Sequence, residues 1–407
     1  MSLLPVDQAI ARIIDGVKPL AAEPVPLNNA LGRTLAAPLS ATRTQPPFPA
    51  SAMDGFAVRA SDTEIVPARL KIVGMSAAGH SFGGSVGAGE AVRISTGAPL
   101  PAGADAILIK ENADTPDDAT LVAKQTAIAG RHIRRPGLDF DKGDQLLAAG
   151  AIMGVREISL AAAMNHPMVP VRRKPRIAIL ATGDELVRPG TEPGPDQIIA
   201  SNDLGLAAFA RLNGAEPQDL GIVIDDEALI GEAIEEALAL PADILVTLGG
   251  ASVGDHDLVQ SALAGKGMQL DFWRIAMRPG KPLMFGRLGE TRIFGLPGNP
   301  VSSIVCALLF LKPLIASLLG QAVLDPSVPA LLGSDMPGND DRQDYVRASL
   351  AREDAGLPKA ISLSQQDSSG LVVMAKADCL IIRPPHAPPA KAGDACRIIP
   401  LGGTATV

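Results

Sequence analysis

Between residues 174 and 322, short apolar and β-branched runs alternate with helical patterns, and this alternation restricts the fold more than any other feature. RIAILA reads as a buried strand, DLGLAAFARLNG as a helix ending at Gly214, and DLGIVI as a strand. DEALIGEAIEEALAL follows as an acid-started helix and DILVTL as the next strand. Strands separated by helices at this spacing predict a parallel, doubly wound α/β sheet. In such sheets ligands bind in the crevice beyond the carboxyl ends of the strands. Chemistry is therefore expected in the loops that leave those ends.

Three proline-rich joints, TQPPFP (44–49), HPMVPVRRKP (166–175) and LDPSVP (324–329), divide the chain. Such clusters serve as linkers or turns. Near the amino terminus Val6, Ile10, Ile13 and Val17 recur at helical spacing. Residues 151–165 resume a helix, with Ile152, Val155, Ile158 and Ala162 on one face and an end at Asn165-His166-Pro167. The glycine-rich Val/Ile runs between them suit a small β domain, and YVRASLA, CLIIRP and ACRIIPL suit another at the carboxyl end. The expected division is an elongated helical/linker domain (1–43 with 135–172), an inserted β-rich domain (44–134), the α/β domain (173–322) and a C-terminal β domain (323–407).

Composition narrows the function. A chain of 407 residues that is 47% hydrophobic fills several cores rather than staying disordered. Its net charge of −8 and 3% aromatic content argue against nucleic acid, which wants a basic footprint and stacking platforms. An anionic substrate must then meet a local basic pocket. Cys306, Cys379 and Cys396 form no CxxC and sit in apolar contexts, as reduced thiols do. The amino terminus lacks a basic n-region and a cleavage site, and VSSIVCALLFL is broken by Lys312-Pro313 short of a membrane span. The expectation is a soluble cytoplasmic protein with no membrane contact.

Three loops fall at strand ends: TGDEL (182–186), GGASVGDHD (249–257) and LPGNPVSS (296–303). In the last, Asn299 is an N-cap candidate and Pro300 falls at the first helical position. The helix then aims free amides, with the hydroxyls of Ser302 and Ser303, into the crevice as an oxyanion site. Turn-and-cap chemistry alone explains any one of these loops; their convergence points to a phosphate-bearing ligand. Glu185, Asp255 and Asp257 either hold a hydrated Mg²⁺ against the phosphates or accept hydrogen bonds from ribose hydroxyls or base amines. Downstream, WRIAMRPGKPLMFG sets Arg274, Arg278 and Lys281 around a Pro-Gly turn, which suits a tetrahedral oxyanion. There is no Walker motif or GxGxxG, and His256 stands alone, so ordinary ATPase, dinucleotide, zinc and triad chemistry find no support.

Seven motifs in one order carry a resemblance. SAMDG (51–55), STGAPLPAGADAI (95–107), RRPGLDFDKGD (134–144), TGDEL, GGASVGDHD, RPGKP and LPGNPVSS resemble the MoeA family. These are the molybdopterin molybdenumtransferases, to which the gephyrin E domain is similar. The resemblance covers essentially the whole chain. It implies a four-part elongated subunit that forms a homodimer, with an α/β domain like the MogA-type molybdopterin-binding fold. It also implies an enzyme of molybdenum cofactor biosynthesis that inserts molybdate into adenylylated molybdopterin and releases AMP, with Mg²⁺. Transient contacts with other proteins of that biosynthesis and with recipient apo-molybdoenzymes follow. A gephyrin-like scaffold and a non-catalytic pterin carrier are the rivals, and the absence of an attached second catalytic domain favours the stand-alone enzyme.

Carried over motif by motif, the resemblance implies catalytic roles for Asp54, Thr96, Glu185, Asp257 and Lys281, with Glu185 and Asp257 on the metal. Arg134, Asp139, Gly249, Gly250, Ser252, Gly254, Asp255, Pro297, Gly298 and Asn299 are implied to bind substrate. Arg278, Ser302, Arg347 and Ser368 are implied to line the molybdate region. Arg278 replaces the lysine usual in bacterial members, and QDSSG (366–370) departs from the usual QGS.

Overall fold

The computed structural model describes residues 3–239, 241–249, 258–351 and 356–402. They fall into two units: one comprises residues 24–31 and 37–170, the other 1–23, 32–36 and 171–407. The first is built on a six-stranded sheet in the order Ala106–Ile109, Gly55–Val58, Glu90–Ile94, Ala68–Ser76, Thr120–Ala123 and Ala113–Asp117. Side chains alternate across it: Phe56 and Val58 bury on one face, Ala57 on the other. Gly55 is obligatory, because a Cβ there would lie 2.1 Å from the Leu108 carbonyl oxygen. The helix in this unit spans Val155–Ala163 and turns a different face inward from the expected one. Ile152 and Val155 are exposed, whereas Met153, Ala161 and Met164 are buried. The helix begins only after Gly154, whose N–H is taken by the Glu157 carboxylate at 3.1 Å, so Ile152 lies outside it.

The second unit holds the α/β sheet. Its strands are β1 (Arg176–Thr182), β2 (Glu216–Val223), β3 (Ile244–Leu248), β4 (Gln269–Arg274), β5 (Pro282–Leu288) and β6 (Thr291–Leu296), in the spatial order 2-1-3-6-5-4. Strands 2, 1, 3 and 6 are parallel as expected, but β5 runs antiparallel to both its neighbours, β6 and β4. The reason lies at Gly289-Glu290: Leu288 pairs with Thr291, and so tight a turn reverses the chain where a parallel crossover needs a dozen or more residues. Helices cover both faces. On one, α1 (Val6–Ile14) and α2 (Asn202–Leu212) share a core with Ile177 and Ile179; on the other, α3 (Glu227–Ala239) and α4 (Leu258–Gly265) pack with Ala178 and Leu180. Val6, Ala9 and Ile13 thus bury α1 in the α/β core, away from the grouping with 135–172 that the sequence suggests.

Lys312-Pro313 does not end the apolar helix. Helix α5 (Pro300–Cys306) passes through a π-helical turn (Ala307–Leu311) into α6 (Lys312–Leu318). A proline removes one helical N–H and crowds the carbonyl four residues back, and the wider turn before it absorbs both. The continuous helix Pro300–Leu318 is long and apolar enough to cross a membrane, yet two thirds of it is buried against the sheet, as a core helix is.

The carboxyl-terminal strands are β7 (Val328–Leu332), β8 (Gln343–Ala351), β9 (Lys359–Ser362), β10 (Cys379–Arg383) and β11 (Ala395–Pro400). They pair in the cycle 8-9-7-11-10-8, a closed barrel that leaves no open edge. The short strand Met277–Arg278 adds to β8 beside Gln343 and Asp344 and so brings Arg278 to the barrel. Cys306, Cys379 and Cys396 are free thiols, and burial pushes Cys379 up to about 12.

Candidate active site

A crevice of about 590 Å³ opens at the carboxyl ends of β1, β3 and β6. That volume suits a small ligand. Its floor is Thr182, Gly249, Pro297 and Gly298; its side walls include Glu185, Ile198, Asn202 and Asp203. Gly249 has φ +96°, and a Cβ there would lie 2.5 Å from the Thr182 carbonyl oxygen, so the chain can leave β3 this close to β1 only as glycine. The Asn202 side-chain amide donates to the Gly298 carbonyl at 2.6 Å and ties α2 to the LPGNP loop. Arg188 bridges Asp203 (2.9 Å) and Asp219 (2.8 Å). The other Asp203 oxygen and the Thr182 hydroxyl are buried with no partner among the described residues. Unsatisfied polar atoms cost free energy, so a wall that carries them is suited to a polar ligand.

The helix start departs from the sequence expectation. Asn299 stands at the N-cap, but its side chain does not cap α5; its amide donates to the Ser368 hydroxyl at 3.0 Å. The Val301 N–H goes to the Ser368 carbonyl at 3.1 Å, and the Ser303 N–H to the Asn299 carbonyl at 3.0 Å. Ser302 and Ser303 are buried and line neither cavity. A segment 69 residues downstream of Asn299 therefore occupies donors that local patterning assigns to an anion. Ser368 makes these contacts, while its neighbour Ser369 lines the crevice.

A second cavity, about 520 Å³, lies against β8 and carries Arg278, Arg347 and Arg383 with Asp344, Asn339 and Gln366. Arg347 is only 2% exposed, and burial draws its guanidinium below the ordinary arginine value. Its Nη2 donates to the Asp367 carbonyl at 3.3 Å, and its Nε has no partner among the described residues. Arg278, expected as a free oxyanion donor, is instead ion-paired to Asp344 and, at 3.4 Å, to Asp340. The Asp340 carboxyl is held at about 2, first by hydrogen bonds from Arg342. Lys281 is exposed and belongs to the turn between Arg278, on this cavity, and Pro282, on the crevice.

Acidic groups crowd the end of β1. The Asp225 carboxyl is raised above its ordinary value by burial and then by Asp184 and Glu185, and its N–H bonds Asp184 at 3.0 Å. Sequence reasoning passed over Asp225, which reads as the start of a helix; its signal was its place directly after a strand. Hard carboxylate oxygens suit Mg²⁺, and a like-charge cluster is relieved by a divalent cation. Among the described residues no group of three or more His, Cys, Asp or Glu could hold a metal ion. Gly250, Ser252, Gly254, Asp255 and Asp257 lie outside the described residues.

The remaining expected residues belong to the other unit. One Asp54 carboxylate oxygen accepts both the N–H (2.7 Å) and the hydroxyl (2.8 Å) of Thr96, which holds the carboxyl below its usual range. Arg134 is exposed on a short strand paired with Ala50–Ser51. Asp139 is exposed and donates its N–H to the Gln45 carbonyl at 3.0 Å.

Comparison with known proteins accounts for these features together. Residues 4–165 match the MoeA N-terminal region (domain I and II), 178–317 a probable molybdopterin binding domain, and 329–401 the MoeA C-terminal region (domain IV). A molybdopterin molybdenumtransferase of Nostoc is 37% identical, over 89% of this chain and 85% of that one. One from Haemophilus influenzae is 33% identical over 98% and 99%. Two solved structures of the molybdopterin biosynthesis MoeA protein from Pyrococcus horikoshii align with TM-scores of 0.84 and 0.82. They are 29% and 26% identical, covering 99% and 98% of this chain and 100% and 99% of theirs. With sequence, domain order and fold in agreement over nearly its full length, the chain belongs to the MoeA family, the molybdopterin molybdenumtransferases.

Proposed function

We propose that this enzyme binds adenylylated molybdopterin in the strand-end crevice and molybdate in the arginine-lined cavity, joins metal to dithiolene, and releases AMP. The observation that carries the reading is the pairing of two chemically different cavities in one unit, bordered by one segment: Ser369 on the crevice, Gln366 on the other. The crevice offers backbone-close glycines and hydrogen-bonding groups for a polar, phosphate-bearing ligand. The second cavity offers guanidinium groups for an oxyanion.

In this reading the protein's work is positioning and charge compensation rather than covalent catalysis. Arg347, with Lys281 and Arg278, orients the oxyanion; Gly249, Pro297, Gly298 and Asn299 seat the pterin-bearing ligand; Ser368 fastens, and Ser302 belongs to, the helix start beside the crevice. Glu185 and Asp257 would hold Mg²⁺, which when bound neutralises the phosphates. Asp54, fixed by Thr96, is a further charged group for the reaction, and Arg134 and Asp139 bind substrate. The reading includes a four-part division of the chain, with α1 packed in the α/β unit, a homodimer, a cytoplasmic location, and transient contact with other cofactor-biosynthesis proteins and apo-molybdoenzymes. It rests for these on the family.

Titration calorimetry of Lys281→Ala and Arg347→Ala tests the division of labour. Each should weaken molybdate binding about tenfold or more, the loss of one charge-assisted contact, with adenylylated-molybdopterin affinity within about twofold of wild type. Equal losses for both ligands would mean one undivided anion pocket.

A further inference from the structure

The segment 363–369 borders both cavities, and Gln366 fastens it. The Gln366 side-chain oxygen accepts the Arg347 N–H at 3.0 Å, and its amide donates to the carbonyls of Arg347 (3.0 Å) and Leu363 (2.8 Å). A primary amide that bonds both the N–H and the C=O of one strand residue reproduces the pairing that a neighbouring strand would make. The contacts continue without a break. The Asp367 carbonyl accepts from Arg347 Nη2, and its carboxylate accepts the N–H (2.8 Å) and hydroxyl (2.5 Å) of Ser369. Ser368 between them accepts the Val301 N–H and the Asn299 side-chain amide. Hydrogen bonds thus run from the buried arginine of one cavity to the helix start that walls the other.

We propose that Gln366 is a positioning residue that sets Arg347 and this segment together, and that ligand binding in the two cavities is thermodynamically coupled through it. The inference rests on the reading above, of an oxyanion in one cavity and a nucleotide-bearing ligand in the other. Arg347 Nη2 is the shared element. An oxyanion that draws this guanidinium toward itself releases the Asp367 carbonyl, and the contacts of Ser368 and Ser369 at the crevice readjust with it. Reciprocity follows from linkage: a crevice ligand that reseats Ser369 changes the oxyanion affinity by the same factor.

The test is calorimetry on the full chain with molybdate alone, AMP alone, and each in the presence of the other at saturation. Wild type should show a change in molybdate affinity of about fivefold or more on adding AMP, and an equal change in the reverse order. In Gln366→Ala the coupling should fall below about twofold and molybdate should bind about tenfold more weakly, with single-ligand AMP affinity kept. Gln366→Glu keeps the acceptor for the Arg347 N–H but loses the two donated bonds, so its coupling should lie between; it supplies the same comparison should the alanine variant not fold. Two probes that bind wild type independently would overturn the coupling and leave the cavity assignment standing. Full coupling in both variants would overturn the role of Gln366. Failure of either probe to bind wild type would overturn the underlying reading, and the coupling with it.

Discussion

The Asp225 carboxyl sits above its ordinary range because burial disfavours its charge and Asp184 and Glu185 repel it. An acid whose folded pKa is raised contributes stability most fully below its unfolded value of 3.8, and that contribution is lost as pH rises through the folded value. At neutral pH, therefore, Asp225→Asn should raise the melting temperature of the free protein, a gain that disappears below pH 4. On the proposed reading, in which Mg²⁺ meets Glu185, the same variant should weaken turnover at limiting Mg²⁺ by about tenfold or more, since a cation relieves the crowding that costs stability. Melting curves at pH 4 and pH 7, with a Mg²⁺ titration of activity, check both. At this scale the sequence was informative at Pro300, which stands at the helix start as its fixed φ favours. It failed where a partner arrives from elsewhere: Asn299 and Pro300 signal a helix start, but nothing local says that Ser368 will take its first amide. Arg278 likewise reads as a free cation until Asp344 is brought beside it by strand pairing.

Among elements, β3 and β1 approach one another through a contact that admits no side chain. Gly249→Ala would place a methyl 2.5 Å from the Thr182 carbonyl at a φ of +96°, where side chains are strained. The expected cost is about 1–3 kcal/mol, with loss of crevice-ligand affinity exceeding the loss of oxyanion affinity. Denaturant unfolding and titration with AMP and molybdate separate the two effects. The alternating strand and helix patterns made the α/β region legible from hydrophobic periodicity alone. The reversed β5 was less so, because a short apolar run looks the same in either direction and only the Gly289-Glu290 turn decides it. The closure of the barrel was not legible, since the pairings that close it join distant residues, Val328 with Ile398 and Asp344 with Arg383. The helix over Pro300–Leu318 shows the complementary error: proline breaks an ideal helix, but a π-helical turn accommodates it in a well-packed core.

For the whole molecule, membership of the family predicts a homodimer, which sedimentation analysis at micromolar concentration would register as twice the 41.9 kDa chain mass. A single-chain mass across that range would contradict it. The central claim is chemical, that two cavities bring an activated pterin and a metal oxyanion to one reaction. Single-turnover mixing of the purified protein with adenylylated molybdopterin and Mg²⁺, with and without molybdate, tests it most directly. The account predicts that adding molybdate releases one equivalent of AMP per site, together with a molybdenum-bearing pterin able to activate an apo-molybdoenzyme. Release of AMP at the same rate and extent without molybdate, or tight ligand binding with no release at all, would contradict it and leave a pterin carrier or scaffold.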